Sequence, residues 1–215
     1  MSGTVEGTCL DELSSAGHSG AMPAAELPLV LRIALPEWVP AVVADHYTTT
    51  SPEDRMRLVL DLARSNIADG GGPFAAAIFR ADTAELVAVG LNRVVASHAA
   101  VAHAEVVAIA LAGQRLGRFD LAGVGPMELV TSCEPCAMCL GAVPWAGVSR
   151  VLAGARDEDA RAVGFDEGDK PTDWATELRT RGIDVVIDVL REPAAAVLRA
   201  YVDGGGPVYN GDHHA

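Results

Sequence analysis

Two short stretches, His103-Ala-Glu105 and Pro135-Cys-Ala-Met-Cys139, decide the fold of this chain. Each follows a break in the chain and opens a segment with the apolar periodicity of a helix. Cys136 and Cys139 are three residues apart, which places both sulfur atoms on one face of a first helical turn. Together the two stretches offer one imidazole and two thiolates, which are ligands that suit Zn²⁺.

The number of ligands and the acid beside the histidine indicate chemistry. Catalytic zinc sites have three protein ligands and keep the fourth position for water, whereas structural sites close with a fourth protein ligand. Zinc lowers the pKa of such a water to around neutrality, and Glu105 is placed to take its proton and return it to a ring nitrogen and a leaving amine. His-x-Glu followed by Pro-Cys-x-x-Cys is the pattern of zinc deaminases. The sequence therefore predicts Zn²⁺ held by His103, Cys136 and Cys139, with Glu105 catalytic.

Strand and helix patterns alternate around these two stretches. Ser51-Pro-Glu-Asp predicts the start of a first helix that runs to Ile67, because it supplies an N-cap, a proline and two acids. The remaining patterns predict strands at 74–79 and 86–91, a helix at 101–116, a strand at 128–131, a helix at 136–145, a strand at 149–153, a helix at 174–181, a strand at 183–188 and a helix at 194–201. An antiparallel pair followed by parallel strands predicts an α/β/α three-layer fold with a central mixed sheet.

Length and composition predict one catalytic domain with a segment at each end. The 215 residues fit one compact domain, which we expect at residues 51–203. We expect residues 1–50 to form an N-terminal extension that is partly disordered, because its first part is rich in Gly, Ser, Thr and acidic residues without periodicity. Residues 204–215 form a C-terminal segment that begins with three glycines.

The charge excludes several partners. The formal net charge is −13 and the chain contains no run of Lys or Arg, so a small uncharged substrate is expected and a nucleic acid is not. The apolar region 27–43 is interrupted by three prolines, and no signal peptide pattern precedes it. We therefore expect no membrane association and a cytoplasmic location.

From about Asp69 to Asn210 the chain resembles bacterial guanine deaminases of the cytidine-deaminase superfamily. The resemblance rests on Gly72-Pro-Phe-Ala-Ala-Ala-Ile, Asn92-Arg-Val, Ala102-His-Ala-Glu105, Thr131-Ser-Cys-Glu-Pro-Cys136, Trp145-Ala-Gly and Gly164-Phe-Asp-Glu-Gly168. It implies the cytidine-deaminase-like fold with a mixed five-stranded sheet. It also implies a purine-catabolic enzyme that uses Zn²⁺ to convert guanine to xanthine and ammonia.

The same resemblance implies two residues that recognise the purine. Asn92 is expected to bind the polar edge of the base. Glu167 is expected to contact the ring N–H and the amino group, and to act as a second catalytic acid. The chemistry agrees, because guanine presents two adjacent donors and a carboxylate accepts two such hydrogen bonds well. Without the resemblance, Glu167 could be a solvated acid of the acidic segment 157–169.

Further residues are expected around the base by resemblance. Phe74 and Trp145 are expected to form apolar walls, although ordinary core packing is the alternative for both. Backbone groups at Ala104 are expected to add hydrogen bonds, and Tyr209 to close the site. The resemblance also implies a homodimer in which residues 204–215 can be exchanged, so that Tyr209 serves either its own site or the partner's.

Two departures and three alternatives remain open at this stage. The N-terminal extension exceeds that of compact guanine deaminases, and His98 stands near a position where an aromatic residue is expected. Guanosine or an aminotriazine such as ammeline is an alternative substrate. A tRNA adenosine deaminase would require basic side chains to converge, namely Arg55, Arg57, Arg64, Arg93 and Arg150. A non-catalytic zinc-stabilised binding module would require a fourth protein ligand.

Overall fold

The computed structural model describes residues 27–44, 46 and 50–210. The predicted disorder near the N-terminus falls on residues 1–26, outside the described residues, as does the end of the C-terminal segment at 211–215. Residues 27–32 contain no helix or strand and are exposed. Residues 33–210 belong to one compact unit. No helix in the described part of the chain is both long and apolar enough to span a membrane.

The described residues form eight α-helices and five β-strands. In chain order these are α1 Val39–Ala44, α2 Pro52–Ala68, β1 Ala75–Arg80, β2 Leu86–Leu91, α3 Val94–Ser97, α4 Ala104–Leu116, β3 Met127–Cys133, α5 Ala137–Trp145, β4 Arg150–Ala155, α6 Asp157–Ala162, α7 Trp174–Thr180, β5 Asp184–Val186 and α8 Arg191–Asp203. Within the region predicted as an extension, α1 packs against the hydrophobic core, with Val39 buried.

The first core helix begins as its sequence predicts. The side chain of Ser51 caps α2 by accepting a hydrogen bond from the backbone N–H of Asp54 at 3.1 Å. Pro52 occupies the first turn, where a missing N–H is not needed, and two acids face the positive end of the helix dipole. The inward face of α2 is fully apolar apart from Arg55 and Asn66, and both of these have structural partners described below.

The five strands form one mixed sheet in the order β2-β1-β3-β4-β5. The strand β1 is antiparallel to both β2 and β3, whereas β3, β4 and β5 are parallel. One face of the sheet packs against α2 and α8, and the other packs against α4, α5 and α7. The predicted three-layer fold with a mixed five-stranded sheet is confirmed.

Two helices begin at the same edge of this sheet, and this arrangement builds the site. The turn that starts α5 follows the carboxyl end of β3, while α4 lies across β1 and β2. Gly90 of β2 allows the start of α4 to approach the sheet, because a Cβ at this position would lie 2.0 Å from the backbone oxygen of Ala104. The amino ends of α4 and α5 therefore lie close together.

Several elements differ from their sequence-based predictions. The helix predicted from 101 begins at Ala104, because His103 has the extended backbone of an N-cap. The strand predicted at 183–188 is shorter, since Asp188 and Leu190 adopt positive φ angles of 66° and 53° that end extended structure. The acidic segment 157–169 contains α6, which was not predicted.

Candidate functional site

Three potential metal ligands meet at the amino ends of α4 and α5. His103 is the N-cap of α4, Cys136 is the N-cap of α5, and Cys139 follows in the first turn of α5. Their ligand atoms all lie within 4.8 Å of one another. The Sγ of Cys136 lies 3.5 Å from Nδ1 of His103. The fold thus brings together the three residues that the sequence predicts as ligands.

The chemistry of these donors fits Zn²⁺. A hydrogen bond from Cys139 lowers the pKa of the Cys136 thiol to about 4, with burial opposing and His103 assisting. The same interaction, with burial, raises the pKa of Cys139, and a bound cation would favour the thiolate form of both cysteines. Among the described residues, no other His, Cys, Asp or Glu joins this group. Three ligands and an open fourth position are the arrangement of a catalytic zinc site.

Glu105 lies in the first turn of α4, directly beside the ligand group. Its carboxylate accepts hydrogen bonds from Oγ1 of Thr131 at 3.1 Å and from Sγ of Cys139 at 3.3 Å. Burial raises the pKa of Glu105, and the negative charge of Cys136 raises it further, while His103 opposes the shift. A carboxylate with a raised pKa that faces a cavity is suited to taking up and releasing a proton.

A cavity of about 200 Å³ opens above these groups. It is lined by Phe74, Asn92, Val94, Ala100, His103, Glu105, Cys133, Glu134, Cys136, Phe165, Asp166, Glu167, Tyr209 and Asn210. Aromatic rings form part of the wall, with the ring centroid of Phe165 at 4.9 Å from that of Phe74 and 5.3 Å from that of Tyr209. A flat heterocycle is the kind of ligand that such a wall accommodates.

Glu167 contributes a second buried carboxylate to the cavity. Glu167 is only 5% exposed. Burial raises the pKa of its side chain to about 8, and the charge of Lys170 opposes this shift. The backbone oxygen of Glu167 accepts a hydrogen bond from the N–H of Ala137 at 2.9 Å. The segment that carries Glu167 is therefore attached to the start of α5, next to a ligand cysteine.

Asn92 reaches the cavity from the end of β2. Its side-chain oxygen accepts a hydrogen bond from the N–H of Val94 at 3.3 Å. The buried side-chain nitrogen of Asn66 donates to the backbone oxygens of Gly72 at 2.8 Å and of Asn92 at 3.2 Å. Asn66 and Thr131 belong to this polar framework, and sequence reasoning missed both because nothing in their local pattern indicates these distant partners.

The C-terminal segment folds back over the same cavity. The hydroxyl of Tyr209 is buried and has no hydrogen-bond partner. A Cβ added at Gly72 would lie 2.1 Å from this hydroxyl, so the absence of a side chain at residue 72 makes room for the tyrosine. Asn210 donates to the oxygen of Gly164 at 2.8 Å and accepts from the N–H of Asp166 at 2.9 Å. Exchange of this segment between two subunits stays a prediction.

Trp145 lies outside the cavity, which corrects the expectation that it forms a wall. It is the last residue of α5, and its side chain is 87% exposed. Cys139 and Val143 form the buried face of this helix. Trp145 follows Val143 by two residues, or about 200° of helical rotation, and therefore points away from the core.

Two other residues named from the sequence do not line the cavity. Ala104 is fully buried at the first position of α4, and a role of its backbone in binding stays a prediction. His98 is exposed and ends α3 in a left-handed conformation with φ of 48°. His98 therefore contributes no ring to the cavity, whereas Phe165 contributes an aromatic ring to which the sequence analysis assigned no role.

Comparison with known proteins agrees with this geometry. The model of the cytidine and deoxycytidylate deaminase zinc-binding region matches residues 49–155. Guanine deaminase of Bacillus subtilis is 42% identical over 112 residues, which are 49% of this chain and 69% of that protein. The structure of guanine deaminase from Nitrosomonas europaea has a TM-score of 0.77 and 45% identity, covering 81% of this chain and 97% of that one. Another solved structure, in complex with 2,6-diaminopurine, has a TM-score of 0.77 and 46% identity over 84% of this chain and 97% of its own. The chain belongs to the cytidine-deaminase family of zinc-binding deaminases.

Proposed function

We propose that this protein hydrolyses guanine to xanthine and ammonia. The observation that carries the proposal is the buried Glu105 beside a three-ligand zinc site, at the base of a cavity walled by aromatic rings and two further polar groups, Asn92 and Glu167. The relatives with the same fold over nearly their full length include a guanine deaminase, and a similar structure binds 2,6-diaminopurine. Guanine and 2,6-diaminopurine are both flat purines that carry an amino group.

The residues of the site divide the reaction between them. His103, Cys136 and Cys139 would hold Zn²⁺, which when bound supplies a water of lowered pKa as the nucleophile toward C2 of guanine. Glu105 carries two protons in turn on its carboxylate: the first, from the attacking water, goes to the ring nitrogen, and the second, from the hydroxyl newly bonded to C2, goes to the amine that leaves as ammonia. The hydroxyl of Thr131 lies 3.1 Å from the Glu105 carboxylate and 2.9 Å from the backbone oxygen of Cys133, and so restricts the orientation of Glu105. The aromatic wall excludes water from the other face of the base.

Glu167 and Asn92 are assigned to recognition of the purine edge. The N1–H and N2 amino groups of guanine are adjacent donors, and the carboxylate of Glu167 is an acceptor for both. Burial raises the pKa of Glu167 to about 8. Hydrogen bonds from these two donors would favour the charged form of the carboxylate when the purine binds. Asn92 offers an amide to the polar edge of the ring, held in place through its own backbone by Asn66.

The structure gives no support to a tRNA substrate. The five arginines that a basic surface would need each form an ion pair with an acid: Arg55 and Arg150 with Glu128, Arg57 with Asp54, Arg64 with Asp61 and Arg93 with Asp69. With a net charge of −13, this surface repels a phosphate backbone. Closure of the cavity by Tyr209 favours a free base over the larger guanosine.

A homodimer is part of this proposal. All nine residues of α5 are uncharged, and its outer face exposes Met138 and Trp145. A second copy of the chain would cover this apolar face. Burial of the large exposed surface of the tryptophan favours such an association. Light scattering of the purified protein should give the mass of a dimer, and Trp145→Glu should shift it toward the 22.3 kDa of one chain.

The proposed setting is purine catabolism in the cytoplasm. Cys133, Cys136 and Cys139 are all free thiols in the structure, and two of them are ligands that must remain reduced. Reduced thiols of this kind persist in a reducing compartment. Fractionation of cells that express the protein, with activity followed in each fraction, tests the location.

The experiment that tests the function is ammonia release by the zinc-loaded protein. Guanine, guanosine, ammeline, cytosine, cytidine, adenine and adenosine are compared, with Glu105→Ala as the control for contaminating activity. Turnover of guanine that is lost in the variant is the expected result. Turnover of a different substrate would keep the mechanism and replace guanine, whereas no turnover of any substrate with zinc bound would contradict an enzyme of this class.

A further inference from the structure

Lys170 is the only lysine of the chain, and its side chain is largely buried. Its side chain is 6% exposed, and its ammonium lies 5.8 Å from the centroid of the Trp174 ring. The Nζ atom donates a hydrogen bond to the backbone oxygen of Pro135 at 3.0 Å. It also lies 2.9 Å from Oδ1 of Asp157 and 3.8 Å from Oε2 of Glu134. One buried cation therefore has a carbonyl, two carboxylates and an aromatic ring around it.

The segment Glu167–Lys170 is attached on both sides of Cys136. At one end, the backbone oxygen of Glu167 accepts from the N–H of Ala137, which follows Cys136. At the other end, the ammonium of Lys170 donates to the oxygen of Pro135, which precedes it. Gly168, with φ of 69°, allows the turn between these ends to lie against α5.

We propose that Lys170 is a positioning residue that fixes the Glu167 carboxylate by tying its segment to the turn before Cys136. The proposal rests on the function proposed above. The attachment holds the acid that faces the purine edge at a constant distance from the ligand turn. The positive charge of Lys170 also opposes the effect of burial on the pKa of Glu167, which is consistent with this role.

The burial of Lys170 separates this role from that of an ordinary surface ion pair. The exposed pair of Arg199 with Glu192, for example, lies between solvent-exposed side chains, and neither residue lines the cavity. Lys170 instead bonds to a backbone group one residue from a predicted ligand, and its charge faces Glu134, which also lines the cavity. The rest of its segment has two further hydrogen bonds, from Arg161 to the oxygen of Gly168 at 2.8 Å and from the N–H of Gly168 to Oδ1 of Asp166 at 2.8 Å.

A double-mutant cycle tests the proposal in the zinc-loaded enzyme. Lys170→Met, Glu167→Gln and the double variant are assayed on guanine, since methionine retains much of the stem but has neither charge nor donor. We expect K170M to lower kcat/KM about tenfold when Glu167 is present and less than about twofold in the E167Q background. The loss should divide between kcat and KM as it does in E167Q. Equal losses in both backgrounds, or loss of zinc from K170M, would overturn the proposal.

Two further variants keep the result interpretable. Arg191→Met is the matched control, because it also removes a cation, one that bonds to Asp159 away from this segment, and it should retain full activity. K170M leaves Glu134 without its cation, so the cycle is repeated with Glu134→Gln in every member. The coupling between Lys170 and Glu167 should persist in that background, and its disappearance would show that Lys170 acts through Glu134 instead.

Hydrogen exchange tests the same attachment of the segment to α5 without an activity assay. In zinc-loaded protein without substrate, the amide of Ala137 should exchange about tenfold faster in K170M than in the unaltered chain. The amide of Ala77 in β1 should not change. An unchanged rate at Ala137 would overturn the inference. Lack of guanine turnover by the unaltered enzyme would instead overturn the proposed function and leave this exchange result to stand by itself.

Discussion

Glu105 and Glu128 are both buried carboxylates: Glu105 of α4 lies near the carboxyl end of β3, and Glu128 belongs to the start of the same strand. Oε1 of Glu128 lies 2.8 Å from Arg55, and Oε2 lies 3.2 Å from Arg150. Glu105 has a hydroxyl and a thiol as its hydrogen-bond partners. Burial raises the pKa of both acids, but two arginines oppose it at Glu128, whereas at Glu105 the charge of Cys136 adds to it.

The difference separates an acid that stabilises the fold from one that serves chemistry. The contacts of Glu128 are close approaches of opposite charges rather than aligned hydrogen bonds, and they join α2, β3 and β4. A buried acid with such partners has its charge compensated permanently. Glu105 forms no ion pair with an arginine or lysine in the described part of the chain, so it can change its protonation state during a reaction cycle.

The largest effect is expected from Glu105→Gln, which keeps the shape of the side chain but removes its acid–base function. We expect kcat on guanine to fall by about 10³-fold or more, because Glu105 is the principal proton carrier of the proposed mechanism. Zinc content and the unfolding temperature should remain those of the unaltered chain. Turnover, metal analysis and thermal unfolding are measured on the same preparation. A variant within tenfold of normal activity would break the comparison.

Removal of the metal should affect both activity and stability. The three ligands come from two helices, so bound Zn²⁺ favours the folded chain by about 4 kcal/mol when its free concentration is a thousandfold above Kd. Chelation should therefore abolish turnover and lower the free energy of unfolding measured with urea. Re-addition of Zn²⁺ should restore both quantities. Full activity after complete chelation would contradict the zinc site.

Glu128→Gln should have the opposite profile to Glu105→Gln. It leaves Arg55 buried without its acid, and we expect a loss of about 3 kcal/mol in the free energy of unfolding. The kcat of the folded fraction should change less than about twofold, because the residue lies at the far end of β3 from the cavity. Denaturant unfolding and active-site-normalised kinetics measure the two quantities. A large fall in kcat with normal stability would reverse the assignment of the two acids.

The smallest effect is expected from an acid outside both regions. A hydrogen bond from Arg191 lowers the pKa of Asp159 from its ordinary value of 3.8. Its charge therefore stabilises the folded chain above that pH, and the contribution is lost as the pH falls through the lowered value. Asp159→Asn should lower the unfolding temperature by about 1–2 °C at pH 7 and by less at pH 3. The unfolding temperature of the variant is compared with that of the unaltered chain at each pH, because both proteins release zinc in acid. A difference that grows on acidification would contradict this sign.

The parts of the fold and site that the sequence predicts are those set by local spacing. The predicted strand 86–91 and the predicted start of α2 are those of the structure, because alternation, caps and prolines act over a few residues. The ligand cysteines are three residues apart on one helix, so their meeting also follows from local geometry. The helix α6 could have been found the same way, since its first turn contains three acids, as a helix start favours.

The parts that the sequence does not predict depend on contacts between distant residues. Thr131 meets Glu105 across 26 positions, and Asn66 meets Asn92 across the same number. Whether Trp145 faces the cavity depends on the phase of α5, which is fixed by what packs beneath Cys139. Such contacts are properties of the folded chain, and no local pattern of residue types encodes them.

The burial of Lys170 also gives the protein an internal reporter. Because it is the only side-chain amine in the sequence and its side chain is only 6% exposed, reagents that acylate amines should react slowly with lysine while the fold is intact. Each lysine acylated under native conditions therefore records one excursion in which the segment Glu167–Lys170 has lifted from α5. The rate of that labelling, followed by the mass of the peptide that contains Lys170, measures how often the wall of the cavity opens, and a tightly bound purine should slow it.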